Sequence, residues 1–157
     1  MEGVERIAER ALARGIRIVT AESLTCGMLA STLGRGPDAS EWFAGAVVAY
    51  RTDVKEDVLG LRPGADPCSA ECAEQLAFGV RDLLGADIAI STTGVGGPDV
   101  QDGHEPGTVY LGWATAVATG HKLLRLDGDP SDVLHRTVEH AVDALTELLD
   151  GDRRAGR

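Results

Sequence analysis

The spacing of hydrophobic residues along the chain predicts five β-strands and five helices. Short continuous apolar runs are typical of buried strands, whereas apolar residues three and four positions apart indicate the buried face of a helix. Gly15, Gly34 and Gly60 end three of the helical patterns, as glycine often does. The strands are predicted at 16–21, 45–50, 86–92, 108–117 and 121–126, and the helices at 4–12, 24–33, 53–59, 69–84 and 131–148.

The order of these elements predicts a mixed sheet. The first three strands alternate with helices, which implies right-handed crossovers between parallel strands. A turn of three residues, 118–120, separates the fourth and fifth strands and predicts a hairpin. If the fourth strand runs antiparallel to its neighbours, it begins at the edge where the other strands end. Ligands of open α/β sheets bind at that edge, so the candidate chemistry is sought there.

Length and composition indicate one globular domain. The chain has 157 residues, of which 43% are hydrophobic, and we assign 1–150 to a single domain and 151–157 to a frayed tail. The charged amino terminus and the lack of a long apolar run predict neither a signal peptide nor a membrane span. Three cysteines are too few for a disulfide scaffold, so we expect a cytoplasmic protein. A net charge of −10 argues against nucleic acids and membranes as partners.

A serine stands where the first strand gives way to a helix. In the segment TAESLTCGML, Ser23 precedes the predicted helix, and the backbone N–H groups of Leu24 to Gly27 are the unpaired donors of a helix start. Two interpretations remain open. Ser23 is either the N-cap of this helix or a nucleophile whose substrate oxyanion is received by those N–H groups.

Lysine is rare in this chain, and one lysine has an unusual position. Of the 15 basic residues only Lys55 and Lys122 are lysines, and Lys55 lies in the first turn of a predicted helix, shortly after Tyr50. The helix macrodipole disfavours a cation there, and partial burial would lower the lysine pKa further, as a general base requires. The alternative is a solvated lysine paired with Glu56 or Asp57. Lys122 opens the fifth strand at the opposite edge and is interpreted as a surface residue.

The loop at 93–107 is longer than an ordinary connection, which favours a functional loop over a flexible hairpin loop. Its segment TGVGGPD follows the third strand, and the glycines allow a ligand to approach the backbone. The loop matches neither a Walker A nor a Rossmann fingerprint. Thr108, which opens the fourth strand, faces the same edge.

Arg136 lies one turn into the last helix and away from its apolar stripe. It is either a solvated arginine or an anion clamp that acts with the N–H groups of the helix start at Ser131. The histidines and cysteines show no ligand spacing, and we expect neither a bound metal nor another cofactor.

Several of these segments together resemble the CinA C-terminal domain family, from about residue 3 to 149. The resemblance implies a three-layer α/β/α sandwich with a mixed five-stranded sheet whose fourth strand is antiparallel. The activity it implies is that of a nicotinamide-nucleotide amidase, which converts nicotinamide mononucleotide and water to nicotinate mononucleotide and ammonia. The matching segments are TAESLTCG, the run Trp42-Phe43…Tyr50…Lys55, Cys68-Ser69-Ala70-Glu71, STTGVGGPD and PGTVYLGWA.

The resemblance also implies roles for individual residues. Ser23 is expected to be the nucleophile, Lys55 its base, and Tyr50 a third catalytic residue close by. Thr93 and Gly94 are expected in the substrate loop, with Arg136 near the phosphate or ribose. The predicted substrate-binding residues are Glu22, Thr25, Cys26, Gly27, Thr93, Gly94, Thr108 and Arg136.

The chain departs from the family pattern at Cys26, because family members usually carry Thr-Gly-Gly where this sequence has Thr25-Cys26-Gly27. The resemblance further implies a stand-alone form of the domain and a homo-oligomer, a dimer in particular. The expected partner is a small nucleotide substrate. The alternative functions are a nucleotide-binding regulatory module without amidase activity, and an amidase for another small amide.

Overall fold

The computed structural model describes residues 2–155, and the side chains of 2–151. Within this range the chain alternates strands and helices as an α/β protein. The elements are α1 (Glu2–Arg14), β1 (Ile18–Glu22), α2 (Met28–Gly34), α3 (Ala39–Trp42), β2 (Phe43–Val48), α4 (Thr52–Leu59), α5 (Ala70–Leu84), β3 (Ile88–Gly94), β4 (Thr108–Ala114), β5 (Thr119–Arg125) and α6 (Pro130–Ala155).

The five strands form one sheet in the order β2-β1-β3-β4-β5. β1 runs parallel to both β2 and β3, and β4 runs antiparallel to β3 and β5. The predicted mixed sheet with an antiparallel fourth strand is therefore confirmed. As a result, the ends of β1, β2 and β3 and the beginning of β4 lie along one edge.

Two hydrophobic clusters cover the two faces of the sheet and complete the three layers. Ile18 of β1 belongs to the cluster shared with α1, α2, α3 and α6. Its neighbours Val19 and Ala21 belong to the cluster shared with α4 and α5. Successive side chains of a strand point to opposite faces, so the central strand is apolar on both sides. Complete burial of a side chain such as Ile18 contributes about 1.5–3 kcal/mol.

The last helix is longer than the sequence predicted. α6 continues to Ala155, beyond the 131–148 predicted for the last helix; the frayed tail expected from residue 151 stays a prediction, and residues 156 and 157 lie outside the described part. Two arginines of α1 contact α6 at residues 149 and 150. Arg10 pairs with Asp150 at 2.8 Å, and Arg14 donates a hydrogen bond to the Leu149 carbonyl at 2.8 Å.

Other element boundaries also differ from those predicted from the sequence. β1 begins at Ile18 rather than residue 16, and β2 covers 43–48 rather than 45–50. The short helix α3 was not predicted. The hairpin turn between β4 and β5 lies at 115–118, where the Thr115 N–H donates to the Ala118 carbonyl at 2.9 Å, so the strand predicted to reach 117 ends at 114.

Candidate active site

A cleft lies at the edge where β1, β2 and β3 end, close to the first turns of α4 and α6. Parallel strands bring their carboxyl ends to one edge, which explains why residues distant in the sequence meet here. Five of the residues selected from the sequence line this cleft: Ser23, Tyr50, Lys55, Thr93 and Gly94.

Ser23 follows β1 directly and is only 7% exposed. Its backbone N–H donates to the Thr92 carbonyl at 3.0 Å, and its own carbonyl accepts from the Cys26 N–H at 3.1 Å. The backbone is thus held on both sides. Within the described part of the chain, the Ser23 hydroxyl makes no hydrogen bond, so it is available to a ligand in the cleft.

The segment after Ser23 is a turn rather than the start of a helix. α2 begins at Met28, and its N-cap is Gly27, whose φ of 98° lies in the left-handed region. Cys26 is left-handed as well, with a φ of 47°. The N-cap interpretation of Ser23 is therefore wrong, and the N–H groups of 24–27 are not those of a helix start.

The buried carboxylate of Glu22 caps α2 from a distance. It accepts hydrogen bonds from the Thr25 hydroxyl at 2.6 Å and from the N–H groups of Gly27, Leu29 and Ala30 at 3.1, 2.9 and 2.9 Å. A carboxylate at a helix N-terminus is stabilised by these donors and by the macrodipole. Glu22 is 0% exposed and does not line the cleft, so its predicted contact with the substrate finds no support in the geometry.

Two N–H groups beside Ser23 remain unused. Among residues 23–31 of the described chain, only the N–H groups of Leu24 and Thr25 lack a hydrogen-bond acceptor. Leu24 lines the cleft, whereas the Thr25 side chain is turned inward and bonds to Glu22 and Thr92. Because Thr25 is fully buried and does not line the cleft, the N–H group of Leu24 is the candidate donor to an oxyanion that replaces the predicted helix start.

Lys55 lies on α4 and is only 3% exposed. Its Nζ donates a hydrogen bond to the Tyr50 carbonyl at 2.7 Å. Burial lowers the pKa of the Lys55 ammonium below its ordinary value of 10.5, and the charges of Cys72 and Asp102 oppose this shift. The alternative of a solvated lysine paired with Glu56 or Asp57 is therefore wrong.

The loop between β3 and β4 covers 95–107 rather than 93–107, because Thr93 and Gly94 are paired with β4 as part of β3. The loop is fixed at several points, so it is not a freely flexible hairpin loop. The Thr93 hydroxyl donates to the Pro67 carbonyl at 2.5 Å. A short backbone bridge joins Gln101 to His104, whose Nε2 lies 2.7 Å from the Asp66 carboxylate. The loop and the segment around residue 66 therefore close one side of the cleft together.

The remaining residues chosen from the sequence do not line the cleft. Cys26 is exposed, and Thr108 is buried and takes part in the backbone pairing of the loop. The Arg136 side chain is exposed and donates to the Asp127 carbonyl at 3.2 Å. Their contacts with a substrate stay predictions, and so do those of the five predicted residues that line the cleft. The residues outside the lining are Glu22, Thr25, Cys26, Gly27, Thr108 and Arg136.

The structure adds residues that the sequence analysis did not assign to the site. Asp102 and Gln101 reach the cleft from the long loop, and Cys68 reaches it from the segment before α5. Asp-Gly is a common dipeptide in turns, so the sequence alone gave no reason to assign Asp102 any role beyond the turn. Cys68 is buried, and burial raises the pKa of its thiol to about 11, so it enters the cleft as a neutral group.

The described residues were compared with the requirements of a metal site and of a membrane-spanning helix. No group of three or more histidine, cysteine or acidic side chains in 2–151 is arranged to hold a metal ion. No described helix combines the length and the apolar character needed to cross a bilayer.

Comparison with known proteins identifies one family. The sequence pattern of the CinA C-terminal domain matches residues 2–149. A Bacillus subtilis (strain 168) protein named for competence-damage inducibility is 46% identical over 141 residues, which are 87% of this chain and 34% of that protein. A CinA-like protein of Frankia casuarinae is 37% identical over 88% of this chain and 33% of its own length. The chain thus spans about a third of the length of these curated relatives.

Solved structures agree with the sequence match. A competence-damaged protein (CinA) superfamily protein from Klebsiella pneumoniae 700603 superposes with a TM-score of 0.91 at 34% identity and covers 96% of this chain and 97% of that one. A counterpart from Escherichia coli gives a TM-score of 0.88 at 28% identity over 94% and 87% of the two chains. The three-layer fold is therefore the fold of these proteins.

Proposed function

The chain belongs to the CinA C-terminal domain family, and on this premise we propose that it is an amidohydrolase that converts nicotinamide mononucleotide and water to nicotinate mononucleotide and ammonia. One observation carries the proposal. The unbonded hydroxyl of Ser23 and the buried amine of Lys55 line the same cleft. A serine and a lysine of depressed pKa together supply a nucleophile and its base.

The reaction proceeds through an acyl-enzyme. Ser23 Oγ attacks the carboxamide carbon while its proton passes to the neutral Lys55 amine, and the oxyanion is received by the N–H group of Leu24. The C–N bond then breaks, and the Lys55 ammonium returns the proton to the departing ammonia. Water attacks the ester in the same way, with Lys55 again as base, and releases the carboxylate and Ser23.

The phosphate requires a site beyond the reacting centre. Of the described side chains that line the cleft, only Lys55 and Asp102 are charged. Pro130, the first residue of α6, borders the cleft, but N–H groups of this helix start are already bound: that of Asp132 donates to the Asp129 carboxylate at 2.9 Å and that of Val133 to the Asp129 carbonyl at 3.0 Å. We therefore assign the phosphate to the guanidinium of Arg136, further along α6, rather than to the helix start. Homodimerisation and a cytoplasmic location, both expected from the sequence, remain part of this proposal.

Ammonia release tests the proposal directly. The purified protein is incubated with nicotinamide mononucleotide, nicotinamide, nicotinamide riboside or glutamine, and ammonia and the acid product are quantified. We expect release from the mononucleotide alone and none from the Ser23→Ala variant. If no compound yields ammonia while calorimetry shows nucleotide binding, the protein is a binding module. If only another amide reacts, nicotinamide mononucleotide is not the substrate, and amide hydrolysis remains the reaction.

A further inference from the structure

The cleft contains a carboxylate that the proposed mechanism does not use. Asp102 lies in the long loop between β3 and β4 and lines the cleft together with Ser23 and Lys55. All other described side chains of the lining are uncharged. The described lining therefore contains one cation and one anion, Lys55 from α4 and Asp102 from the loop between β3 and β4.

The position of Asp102 is set by the backbone. Its φ of 51° is left-handed, at the tip of a tight turn. The N–H groups of Gln101 and His104 each donate to the other residue's carbonyl, at 3.1 and 2.9 Å, and close this turn. The His104 side chain then bonds to Asp66 at 2.7 Å and fixes the turn to the segment before α5. The carboxylate is thus carried on a braced turn.

The groups around Lys55 act on its charge in different directions. Burial disfavours the ammonium, while the Tyr50 carbonyl accepts its hydrogen bond from the junction of β2 and α4. Cys72 of α5 and Asp102 of the loop both favour the ammonium. Burial raises the pKa of the Cys72 and Cys68 thiols to about 11, so neither thiol carries charge near neutral pH. Asp102 is then the anionic neighbour that acts on Lys55 at that pH.

We propose that Asp102 is the counter-ion of Lys55, which stabilises the ammonium formed when Ser23 transfers its proton. The inference rests on the proposed function, because it assigns Lys55 the role of the base. Asp102 acts through Lys55 and is therefore a positioning residue. Asp102 is exposed and forms neither a hydrogen bond nor an ion pair with Lys55, so it acts on the ammonium across the cleft. Like the carboxylate of a serine–histidine–aspartate triad, it stabilises the protonated base without accepting the proton.

The substitution Asp102→Asn keeps the size of the side chain and removes its charge. Without the carboxylate the pKa of Lys55 falls further, so the rising limb of the kcat/KM profile shifts to lower pH. The plateau kcat falls at the same time, because a weaker base stabilises the transferred proton less. If Asp102 had a purely structural role, Asp102→Asn would lower the activity without moving the rising limb of the kcat/KM profile.

The rarity of lysine gives a test that does not depend on activity. The chain contains only two lysines, so protein labelled with [ε-13C]lysine gives two signals, and Lys55→Arg identifies the signal of Lys55. We expect Asp102→Asn to shift the titration of Lys55 to lower pH and to leave the titration of Lys122 unchanged. Asp99→Asn is the matched control, because Asp99 is exposed on the same loop and does not line the cleft.

The two readouts separate the inference from the proposed function. If Lys55 titrates identically in the wild-type and Asp102→Asn proteins, or if Asp99→Asn shifts it equally, the counter-ion role is overturned. If Asp102→Asn shifts the titration but no amide is hydrolysed by the wild-type protein, the electrostatic pairing stands and the amidase proposal fails.

Discussion

The Nζ of Lys55 donates a hydrogen bond to the backbone carbonyl of Tyr50, with the two atoms 2.7 Å apart. This bond joins the Lys55 side chain of α4 to the segment between β2 and α4 and fixes the direction of the amine. A neutral amine that donates one N–H to Tyr50 retains a lone pair for a proton from Ser23. The Tyr50 side chain is 66% exposed, so the residue acts on Lys55 through its backbone.

Ser23→Ala is expected to abolish ammonia release and to leave the fold intact. The hydroxyl bonds to no described group, so its removal changes the free energy of unfolding by less than about 0.5 kcal/mol. Turnover and urea unfolding are measured together, with Ser40→Ala, at an exposed position of α3, as the control. Near-normal turnover in a folded Ser23→Ala protein would show that another group is the nucleophile.

Lys55→Arg is expected to be nearly as inactive as Lys55→Ala, because arginine keeps the charge and cannot accept a proton near neutral pH. We expect kcat to fall by at least about 100-fold in both variants. Wild-type activity should rise with pH through a pKa below 10.5. Lys122→Arg, at an exposed position, should be silent. A Lys55→Arg enzyme with more than half of the wild-type kcat would exclude the base role.

The depressed pKa of Lys55 also predicts how stability depends on pH. At a pH below its folded pKa, Lys55 is protonated in both the folded and unfolded states, and burial of the ammonium opposes folding in full. Above 10.5 the lysine is neutral in both states and the penalty is absent. The wild-type protein should therefore gain stability relative to Lys55→Met as the pH rises through this window.

Urea unfolding of both proteins at several pH values measures this trend, and the same comparison with Lys122→Met should show no such change, since Lys122 is exposed. A stability difference between wild type and Lys55→Met that stays constant with pH would contradict a depressed pKa at Lys55.

Cys26→Gly is expected to keep or raise the activity and to stabilise the protein by up to about 1 kcal/mol. A non-glycine residue in the left-handed region costs about 1–2 kcal/mol, part of which is offset by the greater chain entropy of glycine in the unfolded state. Asp38→Gly is a control, because Asp38 is also left-handed, at φ 48°, and lies outside the cleft. A tenfold loss of kcat/KM in folded Cys26→Gly would give Cys26 a role of its own.

Glu22→Gln is expected to destabilise the protein by about 3 kcal/mol, because an amide nitrogen would replace a carboxylate oxygen opposite buried N–H donors. Thermal or urea unfolding measures the loss. Glu9→Gln, at an exposed position on α1, should change the free energy of unfolding by less than about 0.5 kcal/mol. An unchanged midpoint for Glu22→Gln would show that the carboxylate does not hold α2.

The sequence by itself determined the mixed sheet and the edge that carries the site. The period of the apolar residues is a local property, and the short connection between β4 and β5 leaves only an antiparallel pairing. Parallel order of β1, β2 and β3 then requires their ends to meet, which brought Ser23, Lys55 and Thr93 to one cleft. These predictions needed no knowledge of where any side chain points.

Only the tertiary structure decided which neighbours of these residues reach the cleft. Glu22 is adjacent to Ser23 in sequence, yet its carboxylate turns to the buried N-terminus of α2 because the free N–H groups there stabilise it. Asp102 is 47 residues from Lys55, and it shares the cleft because the contact of His104 with Asp66 braces its loop. The direction of a side chain depends on partners that are distant in the chain, and the spacing of residues along the sequence does not predict those partners.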